Sequence, residues 1–119
     1  MKININDIGG ALVKEDDRYV VKDNNDLKNL VVSSTDLKPG KQTTGHSHAG
    51  QEEVYIFVQG QGRMLLGSQK GDDLSIEDDF PVKEGDVVLI EDGKFHRVVN
   101  DSEDQLYFVC VFDGNRTHQ

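Results

Sequence analysis

"GHSHAGQEEVYIFVQG", residues 45–60, crowds two histidines and two glutamates ahead of an apolar run that closes on glycine. In an extended strand, side chains two positions apart point the same way, so His46 and His48 face one side about 7 Å apart along the chain. Glu53 lies an odd number of residues further on and would face away if the strand ran straight. Gly50 lets the chain turn and begin a new strand, which resets the parity. Glu53 can then come alongside the histidines from a neighbouring strand. Two imidazoles and a carboxylate meeting in this way suit Zn, Mn, Fe, Ni or Co, which accept mixed nitrogen and oxygen ligands.

The rest of the chain is biased towards strands. It has 119 residues with 12 glycines, and many short runs of Val, Ile, Tyr and Phe separated by Gly, Asp and Asn. The pattern predicts strands at 2–5, 18–22, 30–34, 42–48, 53–58, 62–66, 74–76, 86–90, 96–99 and 106–112. Turn signals such as "KDNND", "KPG", "QKGDD" and "EDGK" stand between them. No stretch holds a helical apolar period over three turns, and no low-complexity linker divides the chain. Residues 1–119 therefore read as one all-β domain, a sandwich or small barrel. The acidic clusters Glu15-Asp16-Asp17, Asp72-Asp73 and Glu77-Asp78-Asp79 read as solvated loops.

A second segment, "GDVVLIEDGKFHRVVN" at 85–100, holds a strand, a turn built on Asp92-Gly93, and a return strand that begins at His96. Taken together, the two segments resemble the paired motifs of the cupin superfamily. The first family pattern runs glycine, five residues, H-x-H, three or four residues, glutamate, six residues, glycine. Gly40, His46, His48, Glu53 and Gly60 meet it within residues 40–60. The second ends in glycine, two residues, histidine, three residues, asparagine, and is met by Gly85, Gly93, His96 and Asn100, with Glu91 in place of the usual proline.

The resemblance implies a double-stranded β-helix, or jelly roll, with one divalent transition metal held by His46, His48, Glu53 and His96. Such a ligand set leaves one or two positions open for water, substrate or oxygen. Glu52 is the rival to Glu53. The distance to Gly60 and the shared inner face of Glu53, Tyr55 and Phe57 favour Glu53.

The first segment also resembles the small cupins grouped with mannose-6-phosphate isomerases. This implies a metal-dependent enzyme of isomerase or epimerase type acting on a sugar, a sugar phosphate or another small polar substrate. Glu53, Tyr55 and Tyr107 are the candidate catalytic groups, and Thr44, Gln51 and Arg63 the candidate substrate contacts. A non-haem iron dioxygenase and a non-catalytic small-molecule or metal binder are the alternatives that the ligand set also permits.

With 22 acidic against 13 basic residues the formal charge is −9, which disfavours nucleic acid and anionic membranes as partners. The N-terminus lacks a secretory apolar core, and the longest apolar run is too short to cross a bilayer, so a cytoplasmic protein is the expectation. Cys110, the only cysteine, reads as a buried hydrophobe within "YFVCVF". Val54, Ile56 and Val58 make the outer face of the Glu53 strand apolar too. That face calls for cover, from a second copy in a homodimer or from the N-terminal strands of the same chain.

Overall fold

The computed structural model describes residues 1–47 and 50–114. Nine strands form two antiparallel sheets, with no helix among the described residues: β1 (Ala11–Glu15), β2 (Tyr19–Asn24), β3 (Leu30–Leu37), β4 (Glu53–Gln59), β5 (Gln61–Lys70), β6 (Asp73–Lys83), β7 (Val87–Ile90), β8 (Phe95–Val99) and β9 (Leu106–Asp113). The larger sheet runs β1-β2-β3-β9-β4-β7 and the smaller β6-β5-β8. This is the all-β jelly roll expected from the sequence.

Period-two alternation builds the core. On β4, Glu53, Tyr55 and Phe57 are buried while Val54, Ile56 and Val58 are half-buried. Phe57 lies opposite Phe108 and Tyr55 opposite Cys110 on β9. From the smaller sheet, Met64, Val82 and Val98 join the same apolar cluster. The exchange of water-facing for core-facing surface over these side chains is the main stabilising term. Asn100, fully buried, ties the end of β8 to its surroundings. Its amide nitrogen donates to the Leu37 and Asp104 carbonyls at 3.0 and 2.8 Å, and its oxygen accepts from the Ser102 amide and hydroxyl.

Two strand expectations and one loop expectation need correction. Residues 2–5 alternate like a strand, yet they make only the isolated Asn4–Asp7 bridge. The Asn4 side chain accepts from the Asn6 amide and the Asp7 side chain from the Gly9 amide, and such local bonds compete with a ladder. Strand β1 forms instead, with all five residues exposed, paired to β2 alone. Glu77-Asp78-Asp79 is no loop but the middle of β6, an edge strand whose charges face water and discourage further pairing.

Residues 42–47 are the third case. They run beside β8 through two isolated bridges, Gln42–Val99 and His46–His96, not as a continuous strand. The Thr43 hydroxyl takes the Val98 amide at 3.1 Å, and Gly45 interrupts the extended backbone at φ 79°.

Candidate metal centre

His46 and His96 stand directly opposite each other on neighbouring antiparallel segments. Their backbones exchange two hydrogen bonds of 3.1 and 2.9 Å. This pairing brings the imidazole centroids to 4.5 Å with the rings 80° apart. Glu53, the first residue of β4, reaches the pair from the other sheet, its Oε1 lying 3.8 Å from His96 Nε2. One ligand atom from each of the three residues lies within 4.8 Å of the others. Donors bound to one ion at about 2.0–2.2 Å lie at most about 4.4 Å apart, so a slight contraction would bring all three onto a metal.

The orientation of His96 suits that role. Its Nδ1 lies 3.3 Å from the Lys94 carbonyl, an acceptor that favours the tautomer with the proton on Nδ1, and its Nε2 faces Glu53. The turn that supplies this carbonyl is tied to β6, because Lys94 Nζ donates to Glu77 Oε1 at 2.7 Å. That bond lowers the Glu77 carboxyl below its ordinary range and raises the Lys94 ammonium. Glu53 and His96 are buried whereas His46 is exposed, so the cluster opens to solvent on the His46 side. Beneath it, the Tyr55 ring meets His96 edge-on at 5.6 Å and stacks on Phe108 at 5.4 Å, giving the centre an aromatic floor.

Of the four ligands expected, the structure brings His46, Glu53 and His96 together; His48 lies outside the described residues, as does His118. Glu52 is exposed, as the parity argument requires. Among the candidate catalytic groups Tyr55 is at the site, but Tyr107 is on the opposite face of β9. Its hydroxyl donates to the Ile5 carbonyl at 2.9 Å, and burial raises its phenol above the ordinary value.

The substrate-contact candidates fall in three places. Thr44 accepts from Arg18 through its hydroxyl and from Arg97 through its carbonyl. Arg63, on the outer side of β5, is paired with Asp79 at 2.7 Å. Gln51 precedes Glu53 by two residues, and its Oε1 is buried without a hydrogen-bond donor among the described residues.

Two supporting residues escaped the sequence reading. Asp92 Oδ1 accepts from the Gly50 and Gln51 amides at 2.6 and 3.2 Å, joining the loop before Glu53 to the turn before His96. Gly45 holds the backbone immediately before His46 with a positive φ, and a Cβ there would stand 2.6 Å from the Phe95 ring. A glycine next to a candidate ligand was the available signal for the second; no local pattern marked the first.

The sequence profile described as "Cupin domain" matches residues 33–112. The glucose-6-phosphate isomerase of Pyrococcus horikoshii is 32% identical over 108 residues, covering 84% of this chain and 55% of the isomerase. The chain thus spans about half the length of that curated relative. An uncharacterised Methanocaldococcus jannaschii protein is 25% identical over 112 residues, 85% of this chain and 82% of that one. Among solved structures, KdgF from a Halomonas species superposes with a TM-score of 0.71 at 16% identity, covering 89% of this chain and 87% of KdgF. Oxalate decarboxylase from Bacillus subtilis does so with 0.70 at 21% identity, over 82% of this chain and 26% of the enzyme. These two show the fold alone. With the profile covering two thirds of the chain, and His46, Glu53 and His96 gathered within 4.8 Å, this protein belongs to the cupin superfamily.

Proposed function

We propose that the chain is a divalent-metal cupin that isomerises or epimerises a small sugar-type substrate. The observation that carries this reading is the convergence of His46, Glu53 and His96 within 4.8 Å. The glucose-6-phosphate isomerase relatives supply the substrate class. The proposed ligand set is these three residues with His48. A metal held there would polarise a carbonyl and the neighbouring hydroxyl of a substrate, acidifying the proton between them. His46 and His96 serve as neutral imidazoles, and the Lys94 carbonyl favours the His96 tautomer with the proton on Nδ1. Tyr55, whose ring lies against His96, is the candidate to accept or return a proton beside the ligands. The aromatic floor of Tyr55, Phe57 and Phe108 excludes water from the buried side of the centre.

The test is isotopic. Protein stripped with chelator and reloaded with Mn²⁺ or Fe²⁺ is incubated with glucose 6-phosphate or fructose 6-phosphate in D₂O and followed by NMR. Metal-dependent interconversion with deuterium entering at the carbon next to the carbonyl is expected, and it should vanish in chelator. Metal-loaded protein that neither converts nor exchanges these sugars, or their unphosphorylated forms, would overturn the reading.

A further inference from the structure

His96, Leu66 and Asp78 stand side by side on three neighbouring strands. Leu66 on β5 is opposite His96 on β8 and opposite Asp78 on β6, and residues directly opposite share a face of the sheet. That face is the inner one, because Leu66 packs against the core, as does Phe80, two residues along β6 from Asp78. Asp78 therefore lies two strand spacings, about 10 Å, from His96 on the wall that carries the metal centre. Leu66 between them is half-buried and Asp78 is exposed, so this wall is open to a ligand.

An irregularity in β6 adds a second carboxylate. The register slips between Leu66 and Gly67, whose partners are Asp78 and Ile76, leaving Glu77 as an extra residue. Plain alternation from Asp78 would turn Glu77 outward, and a bulge re-aims the side chain. Glu77 Oε1 accepts from Ser68, on the same face as Leu66, at 3.2 Å and from Lys94, two residues before His96, at 2.7 Å. The Lys94 ammonium is raised first by that bond and further by the Glu91 and Asp78 charges, which sets Asp78 close to the pair. Asp79 keeps the outward direction and holds Arg63.

The charge of this wall bears on what it can hold. A phosphate dianion needs cations free to meet it. Lys94 is already held by Glu77. Arg63 is outside with Asp79, Arg97 donates to the Thr44 carbonyl, and Arg18 pairs with Asp16. Carboxylates beside a metal centre suit sugar hydroxyls instead, because each oxygen can accept from a hydroxyl in a charge-assisted bond.

We infer that Asp78, with the Glu77–Lys94 pair beside it, holds the hydroxyls of a sugar bound at the metal centre and selects the unphosphorylated sugar over its phosphate. The inference rests on the metal-dependent sugar reading above and narrows its substrate class.

Titration of the Mn²⁺-loaded full chain with glucose, fructose and their 6-phosphates tests this, with Mn²⁺-induced relaxation of the sugar carbons in NMR reporting binding beside the metal. Wild type should bind the unphosphorylated sugars about tenfold more tightly than the 6-phosphates, or better. Asp78→Ala should weaken the unphosphorylated sugars on the order of tenfold, the scale of a lost charge-assisted hydrogen bond, and strengthen the 6-phosphates. Asp79→Ala removes the same charge from the outward face and should change neither. Metal content and circular dichroism verify that both variants load and fold. Tighter binding of the 6-phosphates by wild type would overturn the inference, as would an Asp78→Ala no different from Asp79→Ala. Conversion of a 6-phosphate in the deuterium assay would then leave the isomerase reading standing, whereas relaxation of none of these sugars would end both.

Discussion

Gly45 and Gly40 offer a paired test of what holds His46 in place. Both glycines have a left-handed backbone, at φ 79° and 72°. An alanine in that region costs roughly 1–2 kcal/mol, offset by about 0.4–1 kcal/mol from a stiffer unfolded chain. At Gly40 a Cβ would meet nothing within 4 Å, so Gly40→Ala should cost about 0–1.6 kcal/mol by the same two terms. At Gly45 the Cβ would lie 2.6 Å from Phe95 Cζ and 2.9 Å from Arg97 Nε. Phe95 is buried, and Arg97 is held by its bond to the Thr44 carbonyl, so neither retreats cheaply. Overpacking of this kind adds about 1–3 kcal/mol, and Gly45→Ala should cost about 1–4.6 kcal/mol in all.

The two substitutions should also differ in metal binding. Relief at position 45 must move the backbone that pairs His46 with His96, whereas position 40 lies outside that bridge. Gly45→Ala should weaken metal binding about tenfold or more, the scale on which supporting residues act, and Gly40→Ala should not. Urea denaturation at unchanged m-value reads the first effect, and competition with a chelator reads the second. Equal destabilisation by the two alanines, or full metal affinity in Gly45→Ala, would refute the reasoning. The second result would mean that His46 is placed by something other than its backbone bridge.

The remaining expectations are briefer. Replacing His46, Glu53 or His96 by alanine should lower metal content measured by elemental analysis more than any supporting-residue change, while Glu52→Ala, on the exposed side, keeps it near wild type; loss in Glu52→Ala alone would reverse the strand's facing. Tyr55→Phe should leave metal content intact and lower turnover in the isotope-exchange assay, a split that purely structural damage would not give. Asp16, whose carboxyl the Arg18 side-chain hydrogen bond holds down to about 2, binds fewer protons folded than unfolded between that value and the ordinary carboxylate range. Its stabilising contribution is therefore present above pH 4 and lost as pH falls through about 2, and Asp16→Asn should flatten that part of the acid-denaturation profile; an unchanged profile would show the pair to be inert.

The parts of the fold legible in the sequence are those where one face is buried. On β4 the side-chain period of two meets a core, so the strand and its facing follow from the residue pattern. β1 and β6 have little or no such signal. Every β1 residue is exposed, and in β6 only Val82 is buried with Phe80 half-buried at one end, so β1 and the first seven residues of β6 are held by main-chain pairing to β2 and β5 and not by what their side chains exclude. An acidic run on an edge strand and one in a loop look alike in sequence, because both are solvated. The alternation at residues 2–5 misled for the opposite reason: short polar side chains there bond to nearby amides and end the ladder before it begins.

The site divides along the same line. His46, Glu53 and His96 were legible because metal chemistry restricts which residue types can serve and the strand period restricts which of them can face inward. Tyr107 was misplaced because β9 is apolar on both faces, so its pattern alone could not give its direction. Asp92 was invisible for a different reason. Its work is done across 42 and 41 residues of chain, where one carboxylate oxygen gathers the amides of Gly50 and Gln51. An aspartate before glycine in a tight turn is sufficiently explained by the turn itself. Only the meeting of the two loops in space shows that this carboxylate also sets the approach of the Glu53 strand to the His96 turn, and so the distance between ligands that come from different sheets.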